Sequence, residues 1–125
     1  MRNLILVMVG GALGSAARFG VGRLTLQHLG PHYPWGTLIV NLVGGFAMGL
    51  LAGLLARFGA GAEGYRHLIG IGLLGGFTTF SAFSLDAVNM IERGGMASAA
   101  AYALISVIGS IVALFAGLWM VRAFA

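Results

Sequence analysis

A cluster of hydroxyl and aromatic side chains interrupts an apolar part of the sequence at residues 75–84, which read GGFTTFSAFS. Threonine and serine hydroxyls can donate hydrogen bonds to an anion, and the positive edge of a phenyl ring can also face one. Phe80 and Phe83 lie three residues apart, which places them on one face of a helix. Phenylalanine pairs more often face lipid or a protein core, but polar groups at membrane depth are costly unless they face protein, water or a substrate. We therefore expect residues 75–84 to contain the functional site.

Further hydrogen-bond donors occur in two other apolar segments. Asn41 follows Thr37 by one helical turn, and its side-chain NH₂ can serve either an anion or a neighbouring helix. Considered alone, packing against a helix is the more common use of such an asparagine. A four-residue spacing along the last segment relates Ser98, Tyr102, Ser106 and Ser110. Although each serine can bond to its own helix, the row predicts a polar track beside a narrow path.

We expect the backbone of the third apolar segment to break near Gly75–Thr79, close to the middle of the membrane. Glycine adopts backbone angles that a helix does not use, and the β-branched Thr78 and Thr79 are poor helix formers. Freed carbonyls at that depth are tolerated only where they face protein, water or an ion, and carbonyl oxygens suit a small hard cation. A continuous helix with a tight glycine contact is the alternative interpretation.

Four apolar segments must position these residues. Their extents are roughly Leu4–Leu26, Gly36–Ala56, His67–Ile91 and Ala97–Val121, and each is long enough to cross a hydrocarbon core about 30 Å thick. Hydrophobic residues make up 59% of the chain and charged residues 8%, against about 25% charged in soluble domains; the mean hydropathy is +0.98. The sequence predicts an all-α membrane protein with a single transmembrane domain over residues 1–125, in which four helices cross the membrane.

The arginine and glycine patterns predict how such chains assemble. If the chain crosses the membrane four times, four arginines lie on one side: Arg2, Arg57, Arg66 and Arg122. The other side has three: Arg18, Arg23 and Arg93. Because an excess of Lys or Arg normally sets orientation, this even division predicts insertion in both orientations and an antiparallel homodimer. If Arg18 lies within its span, the count loses its meaning. Glycines at three- and four-residue spacings in the first two segments let helices approach closely, which favours oligomerisation.

Several function classes are excluded by what the chain lacks. It has no cysteine, so disulfides and thiolate metal sites are excluded. Its arginines are spread over the membrane flanks, which argues against nucleic-acid binding. Of its three acids, only Asp86 is placed to carry a proton within the membrane. No nucleophile is paired with a base, so we predict no enzyme activity, and an acid-poor interior suits an anion better than a cation or a proton.

Three motifs carry a resemblance to a known family: GGALGSAARF at 10–19, WGTLIVNLVG at 35–44 and GGFTTFSAF at 75–83. With them the chain resembles the fluoride channels of the Fluc (CrcB-type) family over nearly its whole length. The resemblance implies a multi-pass protein of the cell inner or plasma membrane that forms antiparallel dual-topology homodimers with two fluoride pores. Such channels export cytoplasmic fluoride passively, down its electrochemical gradient, and so reduce fluoride toxicity.

The resemblance also implies a role for each of the singled-out side chains. Phe80 and Phe83 would line the fluoride path with their ring edges, and Asn41 would donate a hydrogen bond to the ion. Arg18 would lie in an aqueous vestibule that attracts anions. The polar track would comprise Thr37, Tyr102, Ser106 and Ser110.

A structural Na⁺ at the dimer interface is a further implication of the resemblance. The backbone carbonyls of Gly75 and Thr78, contributed by both subunits, would hold this ion, which would not be transported. One position departs from the family pattern, since residue 82 is alanine where many relatives have a hydroxyl residue. This departure leaves both phenylalanines unchanged, so we expect the function to be kept.

Two other classes of protein compete with a fluoride channel. A small proton-coupled multidrug exporter can also be a four-helix dual-topology dimer, but it should have a glutamate in its first membrane helix. Residues 4–26 contain none. A membrane scaffold subunit explains the glycines but leaves the hydroxyl cluster and the serine row without a purpose.

Overall fold

Two long helices begin the chain in the computed structural model, which describes residues 1–124. Helix α1 spans Arg2–Leu29 and helix α2 spans Trp35–Phe58. Each helix is followed directly by a glycine: Gly30 follows α1 and has a φ angle of +82°, and Gly59 follows α2 and has a φ angle of +68°. Because glycine adopts such angles without the strain that other residues incur, these two residues determine where the chain leaves each helix.

The next helix, α3, is composite and follows a 3₁₀ turn at Gly59–Ala62. It consists of an α-helical turn at Glu63–Tyr65, a π-helix at Arg66–Leu74 and a second α-helical turn at Gly75–Phe77. The sequence analysis did not predict the π-helix. Such wide turns are rare and occur often at functional sites, and this one ends immediately before the glycine pair of the hydroxyl-rich cluster.

The backbone leaves the helical conformation after α3. Thr78 is extended, with a ψ angle of 159°, and residues 78–80 lie between two helices. Helix α4 then spans Ser81–Glu92, and helix α5 spans Met96–Ala123. The chain is therefore non-helical at residues 78–80, between α3 and α4.

Three helical stretches of the described residues are long and apolar enough to cross a membrane: Arg2–Leu29, Trp35–Glu92 and Met96–Ala123. The middle stretch contains α2, α3 and α4. Large apolar side chains on the outer surface of α1 and α5 are exposed, among them Leu13, Phe19, Phe115 and Trp119. An apolar surface of this extent is stable beside lipid tails and unfavourable in water. The helical fold and its apolar helices confirm the predicted all-α membrane class.

Glycines bring the helices into close contact in two pairs. Between α1 and α3, a Cβ atom added to Gly76 would lie 2.7 Å from the carbonyl oxygen of Gly11. Between α2 and α5, a Cβ atom on Gly45 would lie 2.9 Å from the carbonyl oxygen of Ser110, and one on Gly49 would collide with Leu114. Close backbone approach of this kind is how helices associate in lipid. The glycines of α1 and α2 that suggested oligomerisation are therefore used to pack helices within one chain.

Candidate functional site

A groove of about 570 Å³ opens where α2, α3, α4 and α5 meet. It gathers side chains that are far apart in the sequence. The predicted site residues among its lining are Asn41, Gly75, Thr78, Phe80, Phe83, Ser106 and Ser110. The structure thus brings together both phenylalanines, the asparagine, two of the hydroxyls and the two residues expected to bind a cation through their carbonyls.

Asn41 holds the non-helical residues in place through both ends of its side-chain amide. The backbone N–H of Thr79 donates to Asn41 Oδ1 at 2.8 Å, and Asn41 Nδ2 donates to the carbonyl oxygen of Thr79 at 3.0 Å. The two bonds also define the orientation of the amide, because an N–H must meet Oδ1. One hydrogen of the NH₂ group is left for another acceptor. Asn41 therefore bonds to the backbone of the non-helical residues, and one of its amide hydrogens is not used in these two bonds.

The side chain of Thr79 caps the beginning of α4. Its Oγ1 accepts a hydrogen bond from the backbone N–H of Ala82 at 3.1 Å. A threonine in this position satisfies one of the amides that the first turn of a helix leaves without a partner. Thr78 acts differently, since its Oγ1 donates to the carbonyl oxygen of Leu74 at 2.9 Å at the end of α3.

The two phenylalanines begin a row of aromatic rings that leads away from residues 78–80. The centroids of Phe80 and Phe83 lie 5.6 Å apart, and Phe83 contacts Tyr102 at 5.2 Å. Tyr102 meets Tyr33 edge to face at 5.7 Å, and Tyr33 contacts Trp35 at 4.8 Å. The row reaches the turn between α1 and α2. The sequence analysis missed Tyr33, a lone aromatic residue in a short connector, and it gave Trp35 no role beyond opening the motif at 35–44.

The hydroxyl row of α5 divides into three environments. Tyr102 is fully buried and its hydroxyl donates to Asp86 Oδ2 at 3.2 Å, with Thr37 close to the same hydroxyl. Ser106 is 5% exposed, and its Oγ has no hydrogen-bond partner among the described residues. Ser110 is half-buried at the groove, whereas Ser98 is exposed. Sequence reasoning considered Asp86 only as a proton carrier and missed its bond to Tyr102.

Thr37 and Arg18 lie outside the groove and line a cavity that adjoins it. A cavity of about 450 Å³ is lined by Arg18, Arg23, Thr37 and Thr79, among others. Since Thr79 also lines the groove, the two spaces meet at this residue. A further cavity of about 370 Å³ lies beneath the turn between α1 and α2, and Thr37 and Asp86 contribute to its wall.

The guanidinium group of Arg18 reaches the end of α3. Its Nε donates to the carbonyl oxygen of Gly76 at 3.0 Å. A cation is favoured at this position, because the carboxyl end of a helix carries partial negative charge. Arg18 thus has a structural partner in addition to lining a cavity that contains a second arginine.

Carbonyl oxygens are the groups at this site that can hold a metal ion. No group of three or more His, Cys, Asp or Glu side chains able to hold a metal occurs within residues 1–124. At residues 75–79, the carbonyls of Gly76 and Thr79 accept hydrogen bonds from Arg18 and Asn41. Over the same part of the chain, no hydrogen-bond donor is found for the carbonyls of Gly75, Phe77 and Thr78. Such oxygens can serve a small hard cation.

Comparison with known proteins gives consistent matches over the whole chain. The model of a family described as "CrcB-like protein, Camphor Resistance (CrcB)" matches residues 5–118. The chain is 52% identical over 122 residues to the fluoride-specific ion channel FluC of Mesorhizobium japonicum, covering 98% of both chains. It is 54% identical over 123 residues to the protein of that name from Phenylobacterium zucineum, covering 98% of this chain and 97% of the relative. The protein of that name from Rhizobium leguminosarum bv. trifolii is 52% identical over 126 residues, with both chains fully covered.

Proposed function

The chain belongs to the CrcB-like family, and on that premise we propose that it exports cytoplasmic fluoride through pores formed by an antiparallel homodimer. It is a fluoride-selective ion channel and not an enzyme. Fluoride moves passively down its electrochemical gradient, which reduces fluoride toxicity. As a multi-pass membrane protein, the channel acts in the plasma membrane, which is the inner membrane in cells that have two. A proton-coupled exporter is not favoured, because α1 contains no acidic residue.

The observation that carries the proposal is the convergence of Asn41, Phe80, Phe83, Ser106 and Ser110 on one groove. Fluoride is small and strongly hydrated, so a narrow path must replace its water with other hydrogen-bond donors. The free hydrogen of the Asn41 amide and the serine hydroxyls are such donors. The phenyl rings supply positive edges and carry no formal charge that would trap the ion. Chloride is larger and less able to fit among these donors.

Four membrane crossings are supported by helix lengths and by one contact between distant parts of the chain. The stretch Trp35–Glu92 has 58 residues, about 87 Å at 1.5 Å per residue and far longer than a bilayer core. It turns at Gly59, where α2 ends. Asn3 donates to Glu63 Oε1 at 3.2 Å, so the beginnings of α1 and α3 are adjacent, which supports a topology in which both lie at the same membrane surface. In the proposed topology, α3 and α4 form one crossing that is interrupted near its middle at residues 78–80.

An antiparallel homodimer is supported by the exposure of the site. Phe80 is 77% exposed, and Gly75, which lines the same groove, is exposed as well. Facing lipid, the hydroxyls and carbonyls of the groove would lack partners, at a cost of several kcal/mol for each group left unsatisfied. A second copy covers this face and completes a pore. Arginines are nearly balanced between the two ends of the helices, which permits both orientations.

A structural Na⁺ at the dimer interface is part of the proposal. The carbonyls of Gly75 and Thr78 fit this ion, because both lie at the groove and lack hydrogen-bond donors within the described part of the chain. The ion supplies positive charge that satisfies carbonyls from both copies. Each chain provides the interrupted helix that makes these oxygens available.

The proposed function is tested by anion efflux from liposomes that contain the purified protein. We expect rapid fluoride efflux and retention of chloride when both are followed with ion-selective electrodes. Liposomes without protein report the passive leak. Retention of both ions by vesicles that contain folded dimers would contradict the channel function, and equal efflux of both ions would contradict the selectivity.

Replacing Ser106 by Ala should lower fluoride flux without destabilising the protein. The buried Oγ of Ser106 has no partner among the described residues, so its removal should leave the free energy of unfolding unchanged or raise it by about 1 kcal/mol. Loss of a donor to the anion, about 1.4 kcal/mol, corresponds to roughly tenfold lower flux. Thermal unfolding and fluoride efflux are measured on the same preparation.

The matched control for this change is Ser98→Ala, which alters an exposed serine on the same helix. We expect this variant to conduct as the unmodified protein does. Normal flux in the Ser106→Ala variant would remove Ser106 from the fluoride path.

A further inference from the structure

We propose that Arg18, Asn41 and Thr79 are positioning residues that keep the carbonyls of Gly75 and Thr78 free for a monovalent cation. This inference rests on the Na⁺ site of the proposed function and names the side chains that create it. None of the three need touch the ion. Their role is to occupy the backbone groups that would otherwise close the interruption into a regular helix.

Two backbone N–H groups at residues 78–82 do not make the bonds that an uninterrupted α-helix would give them. In such a helix, the N–H of Thr79 would bond to the carbonyl of Gly75, and the N–H of Ala82 to that of Thr78. The structure diverts both donors. Thr79 N–H goes to Asn41 Oδ1 at 2.8 Å, and Ala82 N–H goes to Thr79 Oγ1 at 3.1 Å.

Two carbonyls beside the proposed cation site accept hydrogen bonds from side chains. The oxygen of Gly76 accepts from Arg18 Nε at 3.0 Å, and that of Thr79 accepts from Asn41 Nδ2 at 3.0 Å. Both partners come from other helices, 58 and 38 residues away in the chain. Of the five carbonyls of residues 75–79, two are thus satisfied by side chains. The carbonyls of Gly75 and Thr78 are among the three that have no donor in the described part of the chain.

Asparagine and arginine suit these two positions because of how their hydrogen-bonding groups are arranged. Asn41 has an acceptor and a donor on one planar group, so it can bond to the N–H and the carbonyl of the same residue. Arginine has a donor at Nε, which bonds to the carbonyl oxygen of Gly76, and Arg18 is also one of the residues that line the cavity of about 450 Å³. A lysine ammonium would keep the charge without this fixed geometry.

The experiment measures thermal unfolding of the intact dimer in detergent as Na⁺ replaces N-methyl-D-glucamine at constant ionic strength. An ion that binds only the folded state raises the unfolding midpoint with its concentration. We expect such a rise for the unmodified protein. For Thr79→Val, Asn41→Ala and Arg18→Gln, the Na⁺ concentration at which the unfolding midpoint begins to rise should increase at least about tenfold, because that concentration follows the dissociation constant of the site.

Thr79→Val is the most direct variant, because valine keeps the shape of threonine and removes the hydroxyl that accepts from the N–H of Ala82 and lies 3.4 Å from Ser81 Oγ. Thr25→Val is its control, since the hydroxyl of Thr25 bonds to carbonyls of its own helix. Arg23→Gln is the control for Arg18→Gln, because both arginines line the same cavity. We expect both controls to keep the response of the unmodified protein. Arg18→Lys should remain shifted, which separates the hydrogen bond from the charge.

The possible results separate the positioning role of the three side chains from the Na⁺ site and from the channel function. A merely structural loss would lower the unfolding midpoint at every Na⁺ concentration and leave unchanged the concentration at which the midpoint begins to rise. This result would overturn the positioning role. If the unmodified protein showed no Na⁺ response, both the Na⁺ site and this inference would fail, while fluoride efflux would still test the channel.

Discussion

Replacing Asn41 by Asp should abolish fluoride flux, the largest effect that we expect from a single substitution. The variant places a carboxylate in the groove that contains Phe80, Phe83 and Ser106. A negative charge about 4 Å from the anion costs about 4 kcal/mol at an effective dielectric constant of 20, which corresponds to roughly a thousandfold lower rate. Asp also loses the Nδ2 donor that now bonds to the Thr79 carbonyl. Fluoride efflux from liposomes at equal dimer content measures the effect.

The control for this charge change is Gln27→Glu, which converts an amide to an acid at an exposed position of α1. Gln27 lines none of the cavities described above, so we expect nearly normal flux. Robust conduction by the Asn41→Asp variant would mean that Asn41 only packs against Thr79 and that the fluoride path runs elsewhere.

Replacing Phe83 or Phe80 by Ile should lower fluoride flux by about 30-fold each, since loss of about 2 kcal/mol of stabilisation along the path corresponds to that factor. Isoleucine keeps an apolar side chain of similar size but lacks a positive ring edge. The ring centroids of Phe83 and Tyr102 lie 5.2 Å apart, so replacing Phe83 also weakens the aromatic row. Phe80 is largely exposed, so its replacement removes fewer packing contacts within one chain. Efflux is compared with the dimer fraction from size-exclusion chromatography.

Phe115→Ile provides the matched control, because Phe115 is exposed on α5 and faces away from the groove. We expect its flux and its dimer fraction to be normal. If the Phe80 and Phe83 variants formed intact dimers with unchanged flux, ring edges would play no part in conduction.

Sequence patterns alone predicted most of the fold. Helices α1, α2 and α5 each contain a predicted apolar segment, because a run of apolar residues long enough to cross a bilayer must satisfy its backbone internally and so forms a helix. The segment predicted at His67–Ile91 holds α4 and most of α3 with residues 78–80 between them. The π-helix at Arg66–Leu74 could not be foreseen, because its widened turns depend on how α3 packs against α1.

The candidate site was predictable as a set of residues but not as an arrangement. Two threonines, two serines and three phenylalanines in one apolar segment identified residues 75–84, since polar groups at membrane depth are costly unless they face protein, water or a substrate. Helical spacing placed Ser106 and Ser110 on one face of α5. Spacing within α5 also grouped Tyr102 with the serines, whereas the structure turns its hydroxyl toward Asp86. Which neighbour a hydroxyl meets depends on another helix, and no pattern within a single helix reports that.

By itself, the sequence determined the membrane class, the family, the approximate helix bounds and the residue types available for an anion. These properties follow from composition and local spacing, which act over a few residues. Only the tertiary structure decided that glycines of α1 and α2 pack against other helices of the same chain. It also decided that Arg18 and Asn41 bond to the backbone at Gly76 and Thr79. Those partners lie 58 and 38 residues apart in the chain. Such pairings arise from the way whole helices pack, so they exist only once the fold has formed.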